Sequence, residues 1–402
     1  MHPSEGIYMI KSQKLKGKKI VLGITGSIGA VRCVRFIREM IRHGAEIIPV
    51  MTKDALEIIT SKSICFASGK EPVTEITGDV EHVRYCGMVE SRVDLFLIAP
   101  CTANTVSKIV TGICDTTVTL FASTAIGSGI PLMILPAMHE SMYNHPSIKA
   151  NVRKLKDMGA DIIEPVLSER KAKMANVDIV VEHVLRAFGS KDLIGKKILI
   201  IAGSTAEPMD DIRMITNRSS GKTGVALAVN AFRRGGEVEL WYGRAKVEAP
   251  YFIKTRDFES VDNLMGLVDY SNLYRFDIII NCAAISDFTM KKQKGKIKSR
   301  TDKLVIELSP TPKVIELIKK NAPESYIVAF KLESGLPEKE LIDNANRRLN
   351  ELDIDMIIAN DLEEVRGDKG RVHIIKRDGK VQSIEGRKTD NANQIFNEIL
   401  KE

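Results

Sequence analysis

The same phrase opens two parts of this chain: Gly17-Lys18-Lys19-Ile20-Val21-Leu22-Gly23-Ile24-Thr25-Gly26, and Gly195-Lys196-Lys197-Ile198-Leu199-Ile200-Ile201-Ala202-Gly203. Each is a basic lead-in, an apolar run as long as a buried parallel strand, and a glycine where the chain must turn. A chain that begins this way twice is expected to fold as two α/β domains. The stretch Phe188-Gly189-Ser190-Lys191-Asp192 reads as their linker and divides the 402 residues into domains 1–189 and 190–402.

In the first half, apolar runs at Ile20–Ile24, Ile47–Met51, Leu95–Ala99 and Leu132–Leu135 alternate with segments of helical period such as Val31–Ile41 and Ala103–Val110. That alternation predicts a parallel sheet covered on both faces, with ligands at the carboxyl ends of its strands. The second half repeats it, with strands near Lys197–Ala202, Glu237–Trp241, Asp277–Cys282, Tyr326–Phe330 and Met356–Ala359. Helices are expected at Gly221–Arg234, Pro312–Lys320, Glu338–Leu349 and Asn391–Leu400. A hairpin of Val372–Lys376 and Val381–Ile384, joined through Asp378-Gly379, adds an antiparallel edge. The fold class is therefore α/β, two Rossmann-like three-layer domains, the second with a mixed sheet.

No stretch reaches the roughly 20 uninterrupted apolar residues of a membrane span. The nearest, Ala125–Met138, is broken by Gly127, Gly129 and Pro131. Met1–Lys19 is mixed polar and basic, without a signal-peptide core, so a cytoplasmic protein without a membrane partner is expected. The six cysteines form no C-x-x-C pair, which argues for reduced thiols over a zinc knuckle or a disulfide framework. A net charge of +7 suits anionic substrates as well as nucleic acid.

Three segments are candidates for holding phosphate. Gly23, Gly26 and Gly29 are spaced G-x-x-G-x-x-G, unlike the dinucleotide fingerprint, and suit a mononucleotide or flavin phosphate at the following helix. A tight turn without ligand is the alternative. Asn217-Arg218-Ser219-Ser220-Gly221-Lys222-Thr223-Gly224 lacks the first glycine of a P-loop, since Thr216 stands there, but remains a basic, hydroxyl-rich helix start. Lys291–Arg300 carries six basic residues in ten and is either a solvated charge run, a nucleic-acid patch, or a lysine loop closing on a triphosphate.

Motif order then points to a family. Pro100-Cys101-Thr102-Ala103-Asn104-Thr105 resembles the P-A-S-A-N-T segment, and Pro136-Ala137-Met138-His139-Glu140-Ser141-Met142 the P-x-M-N-x-x-M segment, of flavin-dependent cysteine decarboxylases. Ala202–Pro208, Asn217–Gly224, Ala283–Phe288 and Lys296-Ile297-Lys298 resemble phosphopantothenate-cysteine ligases. From about Lys16 to Lys401 the chain is similar to the bifunctional phosphopantothenoylcysteine decarboxylase/phosphopantothenate-cysteine ligases of coenzyme A biosynthesis.

The resemblance implies a flavodoxin-like flavoprotein domain followed by a nucleotide-binding ligase domain. The ligase joins 4'-phosphopantothenate to cysteine. A carboxylate does not acylate an amine at neutral pH, so it is first activated as an acyl-nucleotide, with Mg²⁺ and lysine offsetting the triphosphate charge. By resemblance, Asn217 handles the acyl-cytidylate and Lys296 stabilises the developing phosphate charge. Ser219, Ser220, Gly221 and Lys222 cradle phosphate, Asp287 lies near metal and nucleotide, and Ala283 and Phe330 contact the base. CTP is favoured, although Val328–Glu333 looks more like the ATP-using members. The usual K-x-K-K motif has Ser299 in its last position here.

The decarboxylase half is implied to bind FMN through Gly26, Ser27, Ile28, Thr52, Pro100, Thr102, Asn104, Thr105 and Met138. Direct loss of carbon dioxide would leave an unstabilised carbanion, so oxidation of the substrate thiol to a thioaldehyde first creates an electron sink. His82 matches the active-site base, and His139, Met142 and Lys173 the substrate contacts. His139 stands where the family has asparagine. Ser168–Met174 aligns roughly with the family's clamp but lacks its cysteine, so either another donor completes the reduction, with Cys101 as a candidate, or the half-reaction differs. Trimeric decarboxylase and dimeric ligase contacts imply a dodecamer, with small-molecule substrates and no nucleic acid. The residues alone also admit a nicotinamide-dependent oxidoreductase, which would bind NAD, and a basic nucleic-acid-binding protein.

Overall fold

A computed structural model describes residues 2–168, 171–173, 175–298 and 304–401. The chain divides into two units, Met1–Phe188 and Gly189–Glu402. In the first unit the elements run β1 (Lys19–Ile24), α1 (Cys33–Arg42), β2 (Glu46–Met51), α2 (Glu81–Cys86), β3 (Leu95–Cys101), α3 (Ala103–Thr111), α4 (Thr117–Gly127), β4 (Leu132–Pro136), α5 (Pro146–Asp157), β5 (Asp161–Ile162) and α6 (Val177–Ala187). The strands pair in the order β2-β1-β3-β4-β5, all parallel.

Alternation along β1 explains the layering. Ile20, Leu22 and Ile24 join one core with residues of α1 and α6, while Val21 joins the other with residues of α3 and α4. Both faces are apolar because both are covered. Strand order reverses direction between β1 and β3, and that switch point is where a doubly wound sheet leaves a crevice.

The second unit comprises β6 (Lys197–Ala202), α7 (Lys222–Arg233), β7 (Glu237–Tyr242), β8 (Lys254–Asp257), α8 (Val261–Tyr270), β9 (Ile278–Asn281), α9 (Val314–Asn321), β10 (Tyr326–Glu333), α10 (Glu338–Leu352), β11 (Met356–Asp361), β12 (Lys369–Lys376), β13 (Val381–Arg387) and α11 (Lys388–Ile399). The sheet order is β8-β7-β6-β9-β10-β11-β12-β13, with only β12 and β13 antiparallel to their neighbours. Ile198, Ile200 and Ala202 face α7 and α11, whereas Leu199 and Ile201 face α8, α9 and α10. The switch point lies between β6 and β9.

The mixed sheet and the Asp378-Gly379 hairpin are as expected from sequence; Gly379 has φ +81° and donates to the Lys376 carbonyl at 3.0 Å. Two details differ. The chain after β1 enters a 3-10 turn, Ile28–Arg32, started by Ser27, so α1 begins at Cys33 instead of Val31. Edge strand β8, Lys-Thr-Arg-Asp, carries no apolar run to announce it, because one of its sides faces no other strand.

Candidate active sites

At the first switch point two loops are stitched together by Thr25. Its hydroxyl, itself buried, donates to the Pro100 carbonyl at 2.8 Å and accepts the Thr102 amide at 3.0 Å. Pro100 follows a cis peptide at the end of β3. Thr102 then caps α3, accepting the Thr105 amide at 3.3 Å, while the two threonine hydroxyls lie 3.0 Å apart. The neighbouring β2 closes the other side. The Thr52 amide donates to the Ile24 carbonyl at 3.1 Å, and its hydroxyl accepts from Ala55. A Cβ on Gly26 would overlap Asp54, so only glycine lets these loops approach.

The result is a rim of hydroxyls and amides, Gly26, Ser27, Thr52, Thr102 and Thr105, at the carboxyl edge of one sheet. Asn104 is exposed beside it, and Ile28 is 74% exposed, an apolar side chain without a protein partner on most of its surface. A polar rim with an apolar flank fits a phosphorylated planar cofactor. The Ala137 amide donates to the Cys101 carbonyl at 2.9 Å, bringing Met138 and His139 to the same edge. Met138 and His139 pair with Ala172 and Lys171 in a small antiparallel sheet.

His139 is exposed and caps the turn that follows: its Nδ1 accepts the Ser141 amide at 3.3 Å and lies 2.8 Å from the Ser141 hydroxyl. A ring nitrogen that accepts from an amide carries no proton, so in the neutral ring Nε2–H points outward as a donor. The imidazole thus presents a hydrogen-bond donor at this edge. Met142 is about half exposed in the next turn. Lys173 lies on the strand Lys171–Lys173; its side chain, with Glu169, Arg170 and Met174 of the clamp segment, lies outside the described residues.

His82 sits in the first turn of α2, its ring set edge-on to Phe121 of α4 at 6.4 Å. Its Nδ1 is buried and has no hydrogen-bond partner. A buried ring nitrogen without a protein partner is free to accept a proton or a hydrogen bond from a bound molecule. Cys101 points the other way. It is fully buried in the core beneath α3 and α4, and burial pushes its thiol far up, so it does not face the rim. Burial likewise pushes Cys33, Cys86 and Cys282 to about 12. Cys114 is exposed.

The second switch point is built from touching backbones. Gly203 has φ +86°, and a Cβ there would meet the Gly243 carbonyl group at 2.7 Å. The paired glycines let Ser204 exchange both amide bonds with Arg244 at 2.9 Å, while the Ala284 amide donates to the Gly203 carbonyl at 2.8 Å. Helix α7 lies close on this floor, because Gly224 packs against Ala202 where any side chain would overlap. Gly221 occupies its N-cap and has no capping side chain of its own, so the first turn beyond Lys222 presents amides to an anion. The Ser219 and Ser220 hydroxyls accept the amides of Gly221 and Lys222 at 3.3 and 3.4 Å.

Asn217, exposed, donates its amide to the Ala284 and Ile285 carbonyls at 3.2 Å each. It therefore spans the gap between the α7 loop and the loop after β9. Asp287 is exposed and paired with Lys313, and Ala283 is half-buried just after β9. Phe330 lines a cavity with Thr223, Asn360 and Lys388. Lys388 donates to the Thr223 hydroxyl at 3.1 Å, and burial pushes its ammonium down. Asn360 and Lys388 were not singled out from sequence, because their neighbours in the cavity are far away along the chain.

Lys296 is exposed on a loop whose backbone is tied to the turn Met209–Arg213. The Gln293 amide donates to the Met209 carbonyl at 2.9 Å, Gly295 to Asp211 at 2.9 Å and Ile297 to Asp210 at 3.0 Å. Ser299 and Arg300 lie outside the described residues. Among the described residues no three His, Cys, Asp or Glu side chains gather to hold a metal, and no helix is long and apolar enough to cross a membrane.

Similarity follows the same division. A flavoprotein family model matches residues 9–189, and the DNA/pantothenate metabolism flavoprotein C-terminal domain matches residues 193–402. The chain is 44% identical over 405 residues to the coenzyme A biosynthesis bifunctional protein CoaBC of Thermococcus kodakarensis, covering 100% of this chain and 99% of that one. It is 38% identical over 406 residues to the protein of that name from Methanocaldococcus jannaschii, covering 100% and 98%. A solved DNA/pantothenate metabolism flavoprotein from Streptococcus pneumoniae is 27% identical over 51% of this chain and 98% of that one, with a TM-score of 0.46.

Proposed function

Because this chain belongs to the family of bifunctional coenzyme A biosynthesis proteins, we propose that its two units carry out successive steps on one substrate. It is a bifunctional enzyme, with a ligase in the second unit and a flavoprotein decarboxylase in the first. The ligase joins 4'-phosphopantothenate to cysteine, and the decarboxylase converts the product to 4'-phosphopantetheine. The reading is carried by one observation: each sheet presents a glycine-lined anion cradle at its switch point, and the two cradles are unlike.

In the second unit the uncapped start of α7 suits the triphosphate of CTP, and the positive end of the helix favours that charge. Asn217 is held across the two loops where an activated acyl group would lie. Lys296 offsets negative charge as pyrophosphate departs. Asp287 belongs to no cluster of three metal-ligating side chains among the described residues, so Mg²⁺ would be held chiefly by triphosphate oxygens and water, the usual habit of this ion. Phe330 and Ala283 border the base. The Thr223, Asn360 and Lys388 cavity beside Phe330 offers donors to either CTP or ATP.

In the first unit the Gly26, Ser27, Thr52 and Thr102 rim fits the phosphate of FMN, and exposed Ile28 fits the flank of its ring. FMN bound there would supply reversible two-electron oxidation of the substrate thiol. His82, with an unpaired buried nitrogen, would take the S–H proton of that thiol while the adjoining carbon gives up its hydrogen as hydride to the two-electron acceptor. His139 donates Nε2–H to the substrate carboxylate. The loss of that carboxylate as carbon dioxide then needs a site that excludes water, which trimeric decarboxylase contacts would complete; with dimeric ligase contacts they make a dodecamer.

The test is incubation of the purified chain with 4'-phosphopantothenate, cysteine, Mg²⁺ and either CTP or ATP, with products read by mass. Formation of 4'-phosphopantetheine with release of nucleoside monophosphate is the expected result. Neither intermediate nor product with either nucleotide overturns the proposal. A yellow protein releasing FMN on denaturation distinguishes it from a nicotinamide-dependent oxidoreductase.

A further inference from the structure

A loop of exposed residues places a charge only as well as the loop itself is held. The lysine loop is held on both sides of Lys296. Gly295 donates its amide to Asp211 Oδ2 at 2.9 Å, Ile297 donates to Asp210 Oδ2 at 3.0 Å, and the Ile297 carbonyl accepts from Arg213 Nη1 at 3.0 Å.

The two carboxylates differ in kind. Asp211 is exposed and also pairs with Lys292 at 2.8 Å. Asp210 is only 2% exposed, and its two oxygens have separate tasks. Oδ1 accepts the Ile212 and Arg213 amides at 2.7 and 2.6 Å and shapes its own turn. Oδ2 looks across at the loop, where it takes the Ile297 amide at 3.0 Å and the Arg213 guanidinium at 3.3 Å. Of the bonds that hold its carboxyl down to about 2, the Ile297 amide contributes most.

We propose that Asp210 is a positioning residue for ligation: by fixing Ile297 it presents the adjoining Lys296 to the nucleotide phosphates. This inference rests on the ligase reading given above. It also accounts for a carboxylate at this position. An asparagine would keep one oxygen for the turn but would set its NH₂ against the Ile297 N–H, donor against donor. Asp210→Asn therefore cuts the tie to the loop and spares the turn.

The full chain is compared as wild type, Asp210→Asn, Lys296→Gln and the double variant, with ligation measured at saturating nucleotide and cysteine. Asp210→Asn is expected to lower kcat for ligation about tenfold, the size of effect that follows loss of a charge-assisted hydrogen bond. Trypsin should then cut faster at Lys294 and Lys296, and the double variant should be no slower than Lys296→Gln alone. Decarboxylation of preformed 4'-phosphopantothenoylcysteine should stay at the wild-type value, and the unfolding transition reported by Trp241 should stay cooperative and well above assay conditions, which shows that the variant is folded where ligation is measured. Wild-type ligation by Asp210→Asn beside a disabled Lys296→Gln overturns the inference while leaving the ligase reading intact. Full multiplication of the two defects also overturns it, because Asp210 would then act apart from Lys296. Wild-type ligation by Lys296→Gln overturns the assignment of Lys296 and this inference together.

Discussion

The crossing of Gly203 and Gly243 makes a quantitative claim that a matched pair of variants can check. An alanine at position 203 meets two costs. The first is conformational, since φ is +86° and an L side chain in that region costs about 1–2 kcal/mol. The second is crowding: its Cβ would lie 2.7 Å from both the carbon and oxygen of the Gly243 carbonyl, and 2.9 Å from the Gly243 nitrogen. Those atoms are backbone, anchored by the Gly243 N–H that donates to the Ala202 carbonyl, and cannot swing aside, so crowding adds roughly 1–3 kcal/mol. Gly195 supplies the control, with φ +79° and nothing within 4 Å of its Cβ direction. Gly195→Ala should therefore cost about 1–2 kcal/mol, and Gly203→Ala roughly 2–5 kcal/mol. Equilibrium unfolding in urea measures both, and the chain's one tryptophan, Trp241, is buried on the adjoining strand and reports this unit. Equal shifts in the two variants would refute the claim that touching backbones shape the site.

Three further outcomes follow from the same geometry. His82→Asn should reduce carbon dioxide release at least about 100-fold and leave ligation untouched, as expected for a general base; loss of both activities would sink the separation of sites. Thr25→Val removes the hydroxyl between Pro100 and Thr102 and strands the buried Pro100 carbonyl, at about 1–3 kcal/mol, so flavin should be released at a lower temperature; unchanged release argues against that stitch. Glu239 concerns pH. Burial opposes its ionisation, but hydrogen bonds from Lys254 and Trp241 and the charges of Arg256 and Arg275 outweigh this and hold its carboxyl below the ordinary range. A carboxyl depressed in the folded state contributes stability that is present above its unfolded pKa and is lost as pH falls through the folded value. Acid titration should thus lower the Trp241-reported midpoint more in wild type than in Glu239→Gln. Parallel loss in both would rule the cluster out as the cause.

Much of the fold was legible because buried parallel strands must be apolar on both faces, and runs such as Ile198–Ile201 can be little else. Strand β8 was illegible for the converse reason: Lys254, Thr255, Arg256 and Asp257 form an edge that needs no apolar signature. Glycines announced both turns, yet sequence could not show that Gly203 meets Gly243 or that Gly224 lies on Ala202, since those approaches join distant segments. The same holds for Asp210. Its tie to Ile297 spans 87 positions, and nothing local marks one aspartate of a turn as the buried one. Cys101 shows the opposite hazard, because a motif placed it beside the cofactor segment while strand alternation turned its thiol into the core.

That inward turn has a chemical consequence beyond packing. On the proposed pathway cysteine, the ligated intermediate and the final product all carry free thiols, and a protein thiolate near them would trade disulfides with their oxidised forms. Cys33, Cys86 and Cys101 are sealed from solvent, Cys282 is half-buried, and burial holds all four as neutral thiols, the form that neither attacks nor exchanges. The enzyme is inert toward the functional group it processes over most of its own sulfur. Cys114, exposed just past α3, is where oxidised cysteine should leave its adduct, and mass analysis after such treatment would find it there.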